Sequence, residues 1–197
     1  MGSVIPLKKE INNSYLELKN LVGNKLEEVN HQIKYKLASE INLIHKMINY
    51  HLKSGGKRIR PLLTLGSAKL CGYVNGNRDV NLAACVELIH SATLLHDDVI
   101  DASNLRRGNK TSNSIWGNQS SILVGDYLFS RCFEMMVEDG SQEILKLLSY
   151  TSSKIAQGEV QQLEYKGEIY ILEETYFDII NSKTAALFAA ATRVGAC

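Results

Sequence analysis

Apolar residues recur every three to four positions along almost the whole chain, the period of amphipathic helices. Ile11, Tyr15, Leu18 and Val22 form one stripe, and Ile41, Ile44, Ile48 and Leu52 a second. Ser54-Gly55-Gly56 predicts the stop of that second helix, because glycine supplies the left-handed backbone of a C-cap. Pro61, with its fixed φ, predicts the first turn of the next helix, which runs to about Leu70. Cys71-Gly72 and residues 75–79 read as a turn, followed by a long, largely apolar helix over 81–101. Residues 102–113 read as a polar, basic loop. Further helices are predicted over 120–137, ended by Asp139-Gly140, and over about 142–165, ended by Lys166-Gly167. A last one covers 173–196. Without repeats, linkers or low-complexity tracts, the pattern predicts one all-α domain of roughly eight helices.

Composition narrows the class. Of 197 residues, 45% are hydrophobic and 22% charged, which excludes a disordered or collagen-like chain. Only two prolines occur, which favours long helices over many short strands. Lys plus Arg (22) nearly balances Asp plus Glu (21), so the basic excess of a general nucleic-acid binder is missing. Cys71, Cys85, Cys132 and Cys197 are scattered and form no C-x-x-C pair, which argues against a zinc knuckle or redox motif. Residues 1–10 lack the apolar core of a signal peptide, and Pro6 stands where a myristoylation signal has Ser or Thr. No apolar run approaches the ~18 residues that cross a bilayer. A cytoplasmic protein is expected.

The densest chemical signal is His96-Asp97-Asp98-Val99-Ile100-Asp101, closing the apolar helix. On a helical wheel Asp101 lies about 40° from Asp97, Asp98 about 100° and His90 about 20°. Asp97 and Asp101 therefore share a face one turn, ~6 Å, apart. Two carboxylates so close repel unless a cation lies between them, and hard oxygen donors without His or Cys suit Mg²⁺. The alternative is a solvated acidic helix end, although carboxylates there oppose the helix dipole. A second signal is Gly55-Gly56-Lys57-Arg58-Ile59-Arg60-Pro61, which brings cations to a helix N-terminus suited to an anion. A basic surface turn is its plain alternative. Arg106-Arg107 follow the acidic helix end and could equally just compensate its charge. Lys183-Thr184 stand amid small and apolar residues, where a lysine can also snorkel. Together these features describe a cavity for two phosphorylated substrates with apolar tails. No P-loop, G-x-G-x-x-G or nucleophile motif competes.

The segments GGKRIRP (55–61), ELIHSATLLHDDVID (87–101), RRGN (106–109), LVGDYLFSR (123–131), IAQGEVQQL (155–163) and SKTAALF (182–188) occur in an order that resembles the trans-polyprenyl diphosphate synthases, most of all the octaprenyl type. The resemblance covers the chain from about Tyr50 to its end. It implies an isoprenoid-synthase-like helical bundle around a central cavity, usually as a homodimer. It implies that Asp97 and Asp101 hold Mg²⁺ against an allylic diphosphate, with Asp98 in support. Arg106 would meet the same diphosphate, and Lys57, Arg60, His90 and Arg107 would bind isopentenyl diphosphate. Lys183 would meet the leaving diphosphate and Thr184 the carbocation. The implied reaction makes a long trans-polyprenyl diphosphate, a quinone side-chain precursor, and the resemblance implies delivery of this product to a membrane.

One departure is expected to matter. The family carries a second aspartate-rich motif on a later helix, and nothing between Asp101 and Cys197 has its spacing. Residues 1–197 are thus expected to be a single synthase domain incomplete at its C-terminus, with a C-terminal partner polypeptide as one possible complement. A non-catalytic fragment or a regulatory subunit pairing with a complete synthase is the alternative. For product length, the wheel puts Val86, Ile89 and Thr93 below Asp97 with Ala92 beside them. No aromatic occurs from Val86 to Leu95, whereas short-product members of the family resemble this segment with an aromatic plug, so long products are expected.

Overall fold

The computed structural model describes residues 7–53 and 55–197, with side chains from residue 14 onward. The readings of residues 1–6, and Ser54 as part of a helix stop, lie outside the described residues. The chain forms α1 (Leu7–Val22), α2 (Lys25–Lys36), α3 (Asn42–Lys53), α4 (Ile59–Leu70) and α5 (Arg78–Ile100). A minimal hairpin follows, β1 (Leu105–Arg106) and β2 (Asn109–Lys110). The remainder is α6 (Ser112–Trp116), α7 (Asn118–Asp139), α8 (Gln142–Glu164), α9 (Glu173–Ile180), a π-helical turn (Asn181–Ala185) and α10 (Ala186–Ala196). The expected all-α class is the class found.

The centre of the bundle is α5. Ala83, Ala84, Cys85, Val86, Ile89 and Ala92 are fully enclosed, because α5 packs on α7, α4, α2 and α10 together. A helix surrounded in this way is apolar around most of its circumference, as its sequence is. The Cys85 and Cys132 thiols each donate to the other residue's carbonyl, at 3.7 and 3.6 Å, across the α5–α7 seam. α4 and α10 cross so closely that a Cβ on Gly195 would lie 2.1 Å from the Thr64 carbonyl oxygen, so only glycine fits there. No helix among the described residues is long and apolar enough to cross a membrane.

Three elements differ from the sequence reading. α2 was not anticipated, yet Leu26, Val29, Ile33 and the following Leu37 are all buried. The segment 102–113 is not an open loop. Arg107 and Gly108 both take positive φ (52° and 80°), the backbone of a tight two-residue hairpin, and pair Leu105 with Lys110 and Arg106 with Asn109. The helix expected over 173–196 is broken by the π turn, which holds both Lys183 and Thr184. Single π turns inside helices widen the backbone and recur at functional sites.

Candidate active site

The acidic end of α5 meets the π turn. The Lys183 Nζ lies 2.7 Å from Glu159 Oε2 on α8 and 3.7 Å from Asp97 Oδ2. Gly158 permits this approach, since a Cβ there would sit 2.8 Å from the Ser182 Cβ and 3.0 Å from the Lys183 amide nitrogen. Burial first, then the charges of Glu159 and Asp101, push the Asp97 carboxyl up to about 6, against the pull of Lys183 and Arg106. Burial alone would depress the Lys183 ammonium, but its hydrogen bond to Glu159 and the charge of Asp97 raise it. Asp101 is exposed at the C-cap, and its amide donates to the Asp97 carbonyl at 2.8 Å, fixing the one-turn spacing. Thr184 is exposed beside Lys183.

Asp98 points the other way. It is buried and accepts from the Arg106 Nε and Nη2 at 2.9 and 2.7 Å. Asn113 Nδ2 donates to the Asp98 carbonyl at 3.1 Å and to that of Ser103 at 3.2 Å. For this pair, charge compensation is what the structure shows: Arg106 pins the hairpin to α5. His96 is structural as well. Its ring stacks on Phe129, and Gly125 leaves it room on α7.

Beside this rim lies a cavity of about 490 Å³. Its lining includes Lys57, Arg60, His90, Arg106 and Arg107, so every side chain expected to hold the second anion gathers there. The turn that presents them uses left-handed backbone at Gly55 (φ 76°) and at Arg58 (φ 48°), the residue capping α4. Arg107 donates to the Gly55 carbonyl, which ties the hairpin to this turn. Arg60 is the most telling member. Its guanidinium carbon lies 4.3 Å from the centre of the Phe188 ring, while its buried Nε has no hydrogen-bond partner. A buried guanidinium donor without an acceptor is costly, and an anion in the cavity would satisfy it.

Sequence reasoning missed four contributors. Glu87 is buried and ion-paired with Arg58, and burial raises its carboxyl despite the neighbouring arginines. Glu159 and Phe188 fell inside quoted motifs without being singled out. His51 ends an ordinary amphipathic helix, where nothing marked it. The expected tail channel also needs correction. Val86, Ile89 and Ala92 are sealed in the core, because α5 has neighbours on most sides, and of the four residues expected along the channel Thr93 alone keeps partial exposure.

The donor set fits a hard divalent cation: two carboxylates one turn apart, Asp97 partly buried and Asp101 exposed, with the Glu159 carboxylate close by. Among the described residues, however, no group of three or more His, Cys, Asp or Glu side chains is gathered to hold a metal.

A sequence model of the polyprenyl synthetase family matches residues 41–197. The chain belongs to that family. It is 44% identical over 177 residues to octaprenyl diphosphate synthase of Escherichia coli K12, which covers 90% of this chain and 54% of that protein. The corresponding nonaprenyl diphosphate synthase of Rhodobacter capsulatus is 41% identical over 156 residues, 79% of this chain and 48% of its own. The fold matches a decaprenyl diphosphate synthase structure from Rhodobacter capsulatus with a TM-score of 0.88 at 44% identity, over 92% of this chain and 56% of that one. It also matches a polyprenyl synthase from Caulobacter crescentus, complexed with calcium and isoprenyl diphosphate, with a TM-score of 0.89 at 43% identity, over 92% and 55%. The chain spans about half the length of the curated relatives it matches.

The cation cavity makes stability pH-dependent. Burial and the surrounding arginines hold His51 down to about 4 and His90 down to about 3. Below the ordinary histidine value of 6.5 the unfolded chain takes up protons that the folded one refuses, so stability falls as pH drops from there. The two sites together predict a loss of about 3–4 kcal/mol between pH 7.5 and 5, offset in part by Asp97, whose carboxyl at about 6 takes up a proton in the folded state before the unfolded one does. Urea midpoints across this range check it. The double variant His51→Gln/His90→Gln is expected to flatten most of the slope, and an unchanged slope would contradict the assignment.

Proposed function

We propose that this chain carries the paired diphosphate sites of a prenyl chain-elongating enzyme, which adds isopentenyl diphosphate to an allylic diphosphate to make a long trans-polyprenyl diphosphate. The observation that carries the reading is the adjacency of two unlike sites. An acidic rim (Asp97, Asp101) faces Lys183, and one helical turn further on Phe188 underlies Arg60 in the cation cavity. Arg106 borders both. In this reading two diphosphates lie side by side, one at each site, with their apolar tails toward the bundle.

In this reading the allylic diphosphate lies at the acidic rim. Asp97 and Asp101 would hold Mg²⁺ there, which when bound supplies charge neutralisation for the departing diphosphate. The allylic C–O bond breaks with its electron pair leaving on the diphosphate, and Lys183 exchanges its carboxylate partners for that growing charge. Thr184 stands next to the carbocation. Isopentenyl diphosphate is held by Lys57, Arg60, His90 and Arg107, its double bond supplies the new C–C bond, and loss of a proton restores an allylic diphosphate. No protein nucleophile enters, so positioning contributes most of the rate. Because the chain spans half of its relatives' length, elongation is proposed for a polypeptide in which the counterpart of the remaining half is present, in cis or as a partner.

Lys57→Ala and Arg60→Ala test the cavity. Each removes a charge-assisted contact, and an increase in KM for isopentenyl diphosphate of about tenfold or more is expected. The KM for the allylic substrate is expected to stay within about twofold. Equal changes in both would remove the distinction between the sites.

We further propose that the protein is a homodimer. Ile122, Phe133 and Val137 lie exposed along one face of α7, a stripe that a second copy would cover. Sedimentation of Phe133→Asp is expected to give a monomer where the parent gives a dimer. A monomeric parent would overturn this.

A further inference from the structure

His51 belongs to the cation cavity but takes no part in the reaction described above. It sits in the last turn of α3 and lines the cavity with Lys57, Arg60 and Arg107. Its other side closes on an apolar pocket formed with Leu88, Leu95, Val124 and Leu128. The imidazole is therefore the boundary between a strongly positive space and the hydrophobic interior. We propose that His51 is a further ligand of the diphosphate held in this cavity, and that it takes up a proton as the anion enters. This rests on the assignment of a diphosphate to the cavity.

The charges facing His51 support the inference. The turn before α4 contributes Lys57 and Arg58, α4 Arg60, the hairpin Arg106 and Arg107, and α5 His90 and Glu87. Among the described residues Glu87 is the one carboxylate lining the cavity, and it is engaged by Arg58. α7 offers only Val124 and Leu128 at this point, and α6 presents Trp116 to the neighbouring Tyr50. Without an anion, burial first and then Arg58, Arg106 and Arg107 keep the ring neutral at pH 7. A bound diphosphate brings two or more negative charges into the same space and reverses the field. The protonated ring then becomes the favoured form and offers a charged donor, as the linkage between anion and proton binding requires. Affinity must then rise as pH falls. His90 shares the cavity and is expected to contribute in the same sense.

Calorimetric titration of the full chain with inorganic pyrophosphate, in buffers of different ionisation heat at pH 6 and pH 8.5, counts the protons bound. Pyrophosphate's own protonation is common to all variants, so differences between them belong to the protein. Wild type is expected to take up more protons than His51→Asn at pH 6 and to bind about three- to tenfold more tightly, with the gap closing by pH 8.5. His51→Gln, an amide of longer reach, is the second variant should His51→Asn not fold, and it is expected to behave alike. Equal proton uptake and equal affinity in wild type and variant, with Lys57→Ala still weakened, overturn the role of His51 alone. Pyrophosphate binding that Lys57→Ala leaves unchanged overturns the cavity assignment, and this inference with it.

Discussion

Asp97→Ala is expected to lower prenyl transfer by about 10³-fold or more in a polypeptide extended to the length of its relatives, the loss of several kcal/mol of transition-state stabilisation. Three observations converge on this side chain. It shares a helix face with Asp101, it lies 3.7 Å from Lys183, and burial with two neighbouring carboxylates pushes its pKa up to about 6. A carboxylate held in such company is poised to gain from a cation, and removing it leaves Lys183 to Glu159 alone. Asp98→Asn is the informative contrast. Asp98 faces the hairpin through Arg106, so its loss is expected to lower the melting temperature more than the rate measured well below it. Single-turnover rates with saturating Mg²⁺ and both substrates separate the two. Activity of Asp97→Ala within tenfold of wild type would remove it from the metal site.

The contrast between neighbouring aspartates also shows what the sequence made legible. The helical period gave the bundle, and the wheel correctly set Asp97 and Asp101 apart from Asp98. Lys57, Arg60, His90 and Arg107, which the family resemblance groups around one diphosphate, line one cavity, and Arg106, which the resemblance places at the other diphosphate, lines it too. What stayed hidden depended on tertiary neighbours. α2 alternates charged residues with Leu26, Val29 and Ile33 at helical spacing, a signal that was present but diluted by the lysines and glutamates around it. Glu87 reads as one polar residue in an apolar run until Arg58 arrives from another helix. The π turn leaves no mark in propensity, and the groups it packs against, Gly158 and Glu159, come from another helix. Of the residues expected along the tail channel, Thr93 alone is left partly open, for a related reason. A wheel tells which residues share a face, but not which faces are already covered, and α5 is covered on nearly all of them.

That correction sharpens the expected control of product length. Ala92→Phe would force a ring into a fully enclosed position, and overpacking of about 1–3 kcal/mol is expected to show as a lower melting temperature rather than as a clean change of product. Thr93 is different. It lies one turn before Asp97 on the same face, is only partly buried, and spends its hydroxyl on the His90 carbonyl at 2.8 Å. A phenylalanine there would project into the space beside the acidic rim, where the tail of an allylic substrate must begin if its diphosphate sits on Asp97. The first condensations need little room and are expected to keep rates within about tenfold of wild type. Later ones would drive the lengthening tail against the ring, so long-chain products give way to short ones as the majority. Chromatography of the dephosphorylated products at matched turnover reads this directly. A product distribution unchanged in Thr93→Phe, with the ring tolerated and the enzyme folded, would place the tail on another face of the bundle.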